Sequence, residues 1–138
     1  VRIDSDQLQG HIARGLAPLY TVYGEEALLA LEAADLIRTK ARAAGYSERQ
    51  VLTVESGFDW SQLAMSGNSL SLFASQRLLE LRIPTGKPGV EGAEQLGSYA
   101  RRLPPDTLTL ISLPRLDRAQ QGSAWFEALD QAGVIIAA

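Results

Sequence analysis

The chain has no cysteine and a single histidine, His11, in 138 residues. The first absence excludes disulfides and thiolate metal sites and makes a reducing cytoplasm the expected setting. The second excludes a His-based metal cluster or a Ser-His-Asp triad. Positive charge is not in excess either, with 13 Lys and Arg against 16 Asp and Glu and a net charge of −3. An autonomous nucleic-acid binder would carry a basic footprint that is missing here. No apolar run is long enough to cross a bilayer and no signal-peptide pattern opens the chain, so no membrane partner is expected.

What is present is ordinary globular composition, 46% hydrophobic and 21% charged. That length and balance predict one domain over residues 1–138 with a real core. The closing run Val134-Ile135-Ile136-Ala137-Ala138 reads as a strand, which suggests a domain taken from a longer protein.

Hydrophobic period alternates along the chain. Asp4-Ser5-Asp6 offers cap chemistry for a short helix with Leu8 and Ile12 inward, stopped by Gly15. Leu19–Tyr23 reads as a strand ending at Gly24. A helix follows from Glu25 to about Ala44, with Leu28, Leu31, Ala34, Ile37 and Ala41 as its inward positions and Gly45 as its stop. Val51–Val54 is a second strand and 59–65 a helix whose Trp60 belongs in the core. Arg77–Ile83 is a third strand, Pro84–Val90 a loop, and Gly92–Arg102 a helix. Thr107–Leu113 is the near-continuous apolar run of a central strand covered on both faces. Asp117–Ala132 is the last helix, carrying Trp125, Phe126 and Leu129 and stopped by Gly133. Alternation of this kind predicts an α/β fold, a mainly parallel sheet with helices on both faces.

In such a fold phosphates bind after the first strand of the pattern, where a P-loop needs glycines, a lysine and a Ser or Thr. Here the loop reads Tyr23-Gly24-Glu25-Glu26-Ala27-Leu28. Two carboxylates stand where a cation is needed, and a dinucleotide fingerprint fails because Gly24 is alone. Ile83-Pro84 ends the third strand, where an NTPase keeps metal-binding acids. The residues thus read as a nucleotide-binding fold without its chemistry: no catalytic site, no cofactor and no metal are expected. Glu127 and Asp130 read as a solvated helix face, Asp117 as a cap, and His11 as a surface residue. Arg101, Arg102, Arg115 and Arg118 form the one notable basic cluster, read as a solvated surface or a contact to a partner subunit.

The run Leu70-Ser71-Leu72-Phe73 follows a polar, Gly-containing stretch and is either core or an anchor for another protein. Each of its large side chains costs roughly 1.5–3 kcal/mol if left in water.

Four passages carry a family likeness. They are Gln7-Leu8 with Leu16–Tyr20, Tyr23–Leu29, Ser71–Arg77 and Ala124-Trp125-Phe126. On these the whole chain resembles the N-terminal domain of the delta subunit of the bacterial DNA polymerase III clamp loader. The resemblance implies an AAA+ or P-loop-NTPase-like domain with a degenerate nucleotide site, working without catalysis in DNA replication. It implies that Leu72 and Phe73, with Leu70 and Ser71 leading in, insert into a pocket on the sliding clamp (beta) and help open the ring. Ser69-Leu70-Ser71-Leu72-Phe73 matches four of five positions of a Gln-Leu-Ser-Leu-Phe clamp-binding peptide, with Ser69 in place of Gln. Other clamp-loader subunits are implied as partners of the full-length protein, DNA is met only through the complex, and the isolated domain is expected to be monomeric.

Two other readings make different demands. A receiver- or nucleotide-binding-type switch would need clustered acids at the strand ends, which instead carry Gly24, Ile83-Pro84 and Leu113-Pro114. A purely structural domain would place Leu72-Phe73 in the core.

Overall fold

The computed structural model describes residues 1–68 and 76–138. Its elements are β1 (Arg2–Asp4), a 3-10 turn (Ser5–Gln7), α1 (Leu8–Ala13), β2 (Leu19–Tyr23), α2 (Ala27–Ala43) and β3 (Glu48–Thr53). They continue with α3 (Ser61–Asn68), β4 (Arg77–Arg82), α4 (Gly89–Arg101), β5 (Thr107–Ser112), α5 (Arg118–Gln121), α6 (Ala124–Ala132) and β6 (Val134–Ala137). The strands form one six-stranded sheet in the order β1-β6-β2-β5-β4-β3, with every pairing parallel. The expected sheet and helical layers are therefore present.

Side chains alternate between faces along each strand, and the two faces bury separate cores. Leu79, Leu81 and Ile111 point to the side where Trp60, just before α3, joins Leu63 of α3, Leu96 of α4 and Trp125, Phe126 and Leu129 of α6. Leu78, Leu108 and Leu110 point to the other side, under Leu8 and Ile12 of α1 and Ala33, Ala34, Ile37 and Ala41 of α2. β5 is buried from Thr107 through Ile111, as its apolar run requires.

Several boundaries differ from the sequence reading, each for a local reason. β1 went unread because three residues are too few to show a period; it pairs with β6 and keeps the latter off the sheet edge. β3 begins at Glu48 rather than Val51, since an edge strand tolerates the polar run Glu48-Arg49-Gln50 on its wet side. α4 begins at Gly89, one turn before Gly92, and Gly92 is buried against Trp60. The single helix expected over Asp117–Ala132 is two, α5 and α6, separated at Gly122-Ser123. Asp117 does cap the first of them, accepting a hydrogen bond from the Gln120 amide at 2.8 Å. Leu28 and Leu31, read as inward positions of α2, are 67% and 54% exposed. Helix α2 buries only its alanine-rich stripe and Ile37, leaving these leucines in water.

Candidate functional site: the crevice at the carboxyl edge of the sheet

β2 and β5 are neighbours, but the helices that follow them lie on opposite faces, α2 on one and α6 on the other. Ligand sites in open α/β sheets fall at such a switch point, outside the carboxyl ends of the strands. Here Gly24 follows β2 and Leu113-Pro114-Arg115 follow β5. A cavity of about 680 Å³ opens beside them, with Val22, Gly24, Leu31, Arg38, Arg82 and Arg115 in its wall.

Gly24 serves close backbone packing. Its φ is +144°, and a Cβ there would lie 2.0 Å from the Ala138 carbonyl oxygen. Its amide donates to the Pro114 carbonyl at 3.3 Å, while the Ala138 amide donates to the Tyr23 carbonyl at 2.8 Å. Three strand ends are thereby tied at one point. Glu25 Oε2 stands 3.8 Å from Arg115 Nε, with both side chains at least 70% exposed. A pair this wet holds less than about 1 kcal/mol. Glu26 is the N-cap of α2 but makes no side-chain cap bond, so the acids precede the helix instead of occupying its first turn.

The strongest electrostatic feature of the crevice lies deeper. Glu80, midway along β4, is wholly buried. Its Oε1 accepts from Arg38 Nε of α2 at 2.9 Å and stands 3.6 Å from Arg82 Nη2, while its Oε2 accepts from Arg49 Nε of β3. Burial alone would push the Glu80 carboxyl up, but the bonds and charges of Arg49 and Arg38 outweigh it and hold the carboxyl below its ordinary range. The same bond raises the Arg49 guanidinium. Strand register builds this group. Val51, Glu80, Leu110 and Tyr20 form one row across the sheet, and Thr53, Arg82, Ser112 and Val22 the next, with Glu80 and Arg82 on the α2 face by the two-residue period.

The residues singled out from sequence fare differently. Leu70, Ser71, Leu72 and Phe73 lie outside the described residues, between the end of α3 at Asn68 and the start of β4 at Arg77. Arg77 itself is fixed at the amino end of the sheet. Its amide donates to Asp106 O at 3.0 Å and its Nε to Thr107 Oγ1 at 3.3 Å. The expected arginine cluster is divided. Arg101 and Arg102 close α4 before β5 begins, whereas Arg115 and Arg118 follow β5 and line a smaller cavity with Tyr23 and Asp117. Six residues of strand, about 20 Å, separate the two pairs. His11 is half-buried, its ring edge-on to Tyr20 with centroids 6.0 Å apart. Sequence reasoning missed Arg38, Arg49 and Arg82. Matching parity of Glu80 and Arg82 was visible, but the β3–β4 register that brings Arg49 beside them was not. Among the described residues, no three His, Asp or Glu side chains gather in a metal-ligating group, and no helix is long and apolar enough to cross a membrane.

An all-parallel sheet in this order with helices on both faces defines a doubly wound α/β domain, and its fold resembles the AAA+, clamp-loader-like one. The solved Bacillus subtilis DNA clamp loader delta protein (YqeN) superposes with a TM-score of 0.74 at 19% identity, over 97% of this chain and 42% of that one. A Thermotoga maritima DNA polymerase III gamma subunit-related protein superposes with a TM-score of 0.58 at 10% identity, over 99% and 46%. Sequence narrows the class. The family "DNA polymerase III, delta subunit" matches residues 20–138. DNA polymerase III subunit delta of Escherichia coli (strain K12) is 32% identical over 129 residues, and that of Haemophilus influenzae 32% identical over 132. Each alignment covers 94% of this chain and 38% of the relative. The chain belongs to the DNA polymerase III delta subunit family, and it spans less than two-fifths of the length of these curated relatives.

Proposed function

We propose that this chain is a non-catalytic clamp-loader domain, the N-terminal AAA+-like domain of a delta subunit, that grips a sliding clamp through Leu72 and Phe73. Leu70 and Ser71 set the approach of the hook, and the ring is opened because the hook binds the distorted clamp more tightly than the closed one. Only such a difference in affinity shifts an equilibrium. The observation that carries the reading is the family match over residues 20–138, a span that includes Ser69-Leu70-Ser71-Leu72-Phe73. Burial of both anchors contributes roughly 3–6 kcal/mol, in keeping with aromatic and aliphatic anchors of small interfaces.

The loop after β2 supports the non-catalytic part. Glu25 lines the crevice and Glu26 follows it in the loop where a P-loop would carry its cation, no lysine is near in sequence, and Gly24 is occupied by backbone packing against Ala138. The nucleotide site is a degenerate one on this reading, and nucleotide control belongs to other subunits of the loader. The domain works in the cytoplasm, meets DNA only through the complex and is monomeric alone.

The test is a titration with the bacterial sliding clamp beside a Leu72→Ala/Phe73→Ala variant, with thermal melts of both. The expected result is binding by the parent, loss of at least about a hundredfold in affinity by the variant, and equal melting temperatures. A variant that melts far lower would place the two side chains in the core and overturn the hook.

A further inference from the structure

A three-layer α/β domain needs helices over both faces of its sheet. On one face α3, α4 and α6 share the work, but on the other, among the described residues, only α1 and α2 are helices that contribute to the core. The buried stripe of α2 lies with Tyr20, Val22, Leu108 and Leu110 of β2 and β5. Beyond it, the α2 side of β4 and β3 carries Glu80, Arg82, Arg49 and Val51 by register. A trough therefore runs between α2 and the edge strand β3, and the 680 Å³ cavity is its deepest part.

Two features of this trough point to the same occupant. The first is apolar surface left in water. Leu31, 54% exposed, lines the cavity, and Val51, on the α2 side of β3 by register, is 39% exposed. Between them Ala27, Ala30 and Ala34 make the α2 wall shallow enough for a close helical neighbour. The second is charge. Arg38, Arg49 and Arg82 share the buried Glu80 carboxylate, and with Asp35 on the outer side of Arg38 these ion pairs carry one positive charge in excess. Arg49 meets Glu80 through Nε, which leaves its Nη edge unspent on that bond. This local excess of positive charge stands in a chain of net charge −3.

We propose that the trough between α2 and β3 is a docking site for an acidic amphipathic helix of a partner protein, which completes the missing helical layer. Leucine-type side chains of that helix cover Leu31 and Val51, and its flanking carboxylates pair with Arg49 and Arg82. The stretch of α2 from Ala27 to Arg38 is three turns, about 17 Å, which sets the length of helix that fits. A small anion alone would meet the arginines and leave Leu31 and Val51 in water. Glu80 is a positioning residue here, holding the guanidiniums toward the trough. None of these residues belongs to the run Leu70–Phe73, so hook and trough are tested separately.

The probes are two peptides of about 18 residues, a docking stretch of about 11 with flanking turns that keep it helical, with the same leucine stripe, one flanked by Glu and the other by Lys. Binding to the 138-residue chain is read by fluorescence anisotropy, with amide shifts mapping the contact. The Glu peptide is expected to bind at least about tenfold more tightly than the Lys peptide, with a strong salt dependence. Leu31→Asp and Arg82→Gln, both at exposed side chains, are each expected to weaken it about tenfold without lowering the melting temperature by more than a few degrees. Absence of Glu-peptide binding at millimolar concentration overturns the proposal. So does equal binding of both peptides, or binding indifferent to both substitutions. Amide shifts at Arg38, Arg49 and Arg82 with citrate but not with the Glu peptide would assign the trough to a small anion and overturn it equally.

Discussion

Replacing Glu80 by Gln keeps the shape of the side chain and removes its charge, which isolates the electrostatic core of the crevice. In the parent, Glu80 is 1% exposed and Arg38 17%. Removing one partner of a fully buried ion pair costs about 3–5 kcal/mol, because the other charge stays behind unpaired. Arg49 and Arg82 are 47% and 44% exposed and can turn to water, so the expected loss falls lower, at about 2–3 kcal/mol. Two further effects act in the same direction: the three guanidiniums then repel one another, and the Gln amide presents donors to donors. For a domain of this size the loss corresponds to a drop of roughly 7–10 °C in melting temperature at pH 7. The pH dependence follows from the depressed carboxyl of Glu80. Its contribution is complete above the ordinary carboxylate range of the unfolded chain and disappears as pH falls through the lower folded value. Parent and Glu80→Gln melting curves, followed by far-ultraviolet circular dichroism, are therefore expected to converge on acidification toward pH 3. A difference below about 2 °C at pH 7, or one that stays constant down to pH 3, would refute the assignment of Glu80 as the anchor of the arginine group.

Two other substitutions test the opposite face of the sheet. A Cβ at Gly92 would lie 2.5 Å from Trp60 Cζ2 and 2.7 Å from Pro88 Cβ. Gly92→Ala is expected to cost about 1–3 kcal/mol by overpacking and to shift Trp60 fluorescence, whereas helix propensity alone predicts a gain of about 1 kcal/mol; a higher melting temperature would sink the packing argument. Burial pushes the Tyr99 phenol up to about 12, outweighing its bond to Thr109 and the nearby Arg77 charge. Since the folded value is raised, its contribution is whole below pH 10 and lost toward pH 12. Tyr99→Phe is expected to flatten that alkaline loss in thermal melts and to cost about 1–2 kcal/mol at neutral pH, because buried Thr109 Oγ1 loses its partner at 2.6 Å. Parallel alkaline limbs for parent and variant would count against it.

The legible part of the fold was legible for a physical reason. Leu19–Tyr23 and Thr107–Leu113 are strands with both faces buried, so their apolar runs are continuous and unmistakable. Trp125, Phe126 and Leu129 lie at helical spacing and are all buried. β1 and the first half of β3 were illegible because peripheral strands are short or polar and take their pairing from distant neighbours. Leu28 and Leu31 misled because period locates a helix but does not say how wide a stripe the rest of the molecule covers. The divided arginine cluster misled in the same way: nearness in sequence across β5 became about 20 Å in space.

By itself, the sequence determined the α/β class, the central strand, the run Leu70-Ser71-Leu72-Phe73 and the acidic make-up of the loop Tyr23-Gly24-Glu25-Glu26 after β2, since these are properties of contiguous residues. Only the tertiary structure decided that Gly24 is pinned under Ala138, and that Arg38, Arg49 and Arg82 meet on Glu80. It also decided that a cavity of about 680 Å³ opens beside Leu31 and these arginines on the α2 face of the sheet. Those features depend on strand order and register, which arise from contacts between residues dozens of positions apart and leave no local period to read.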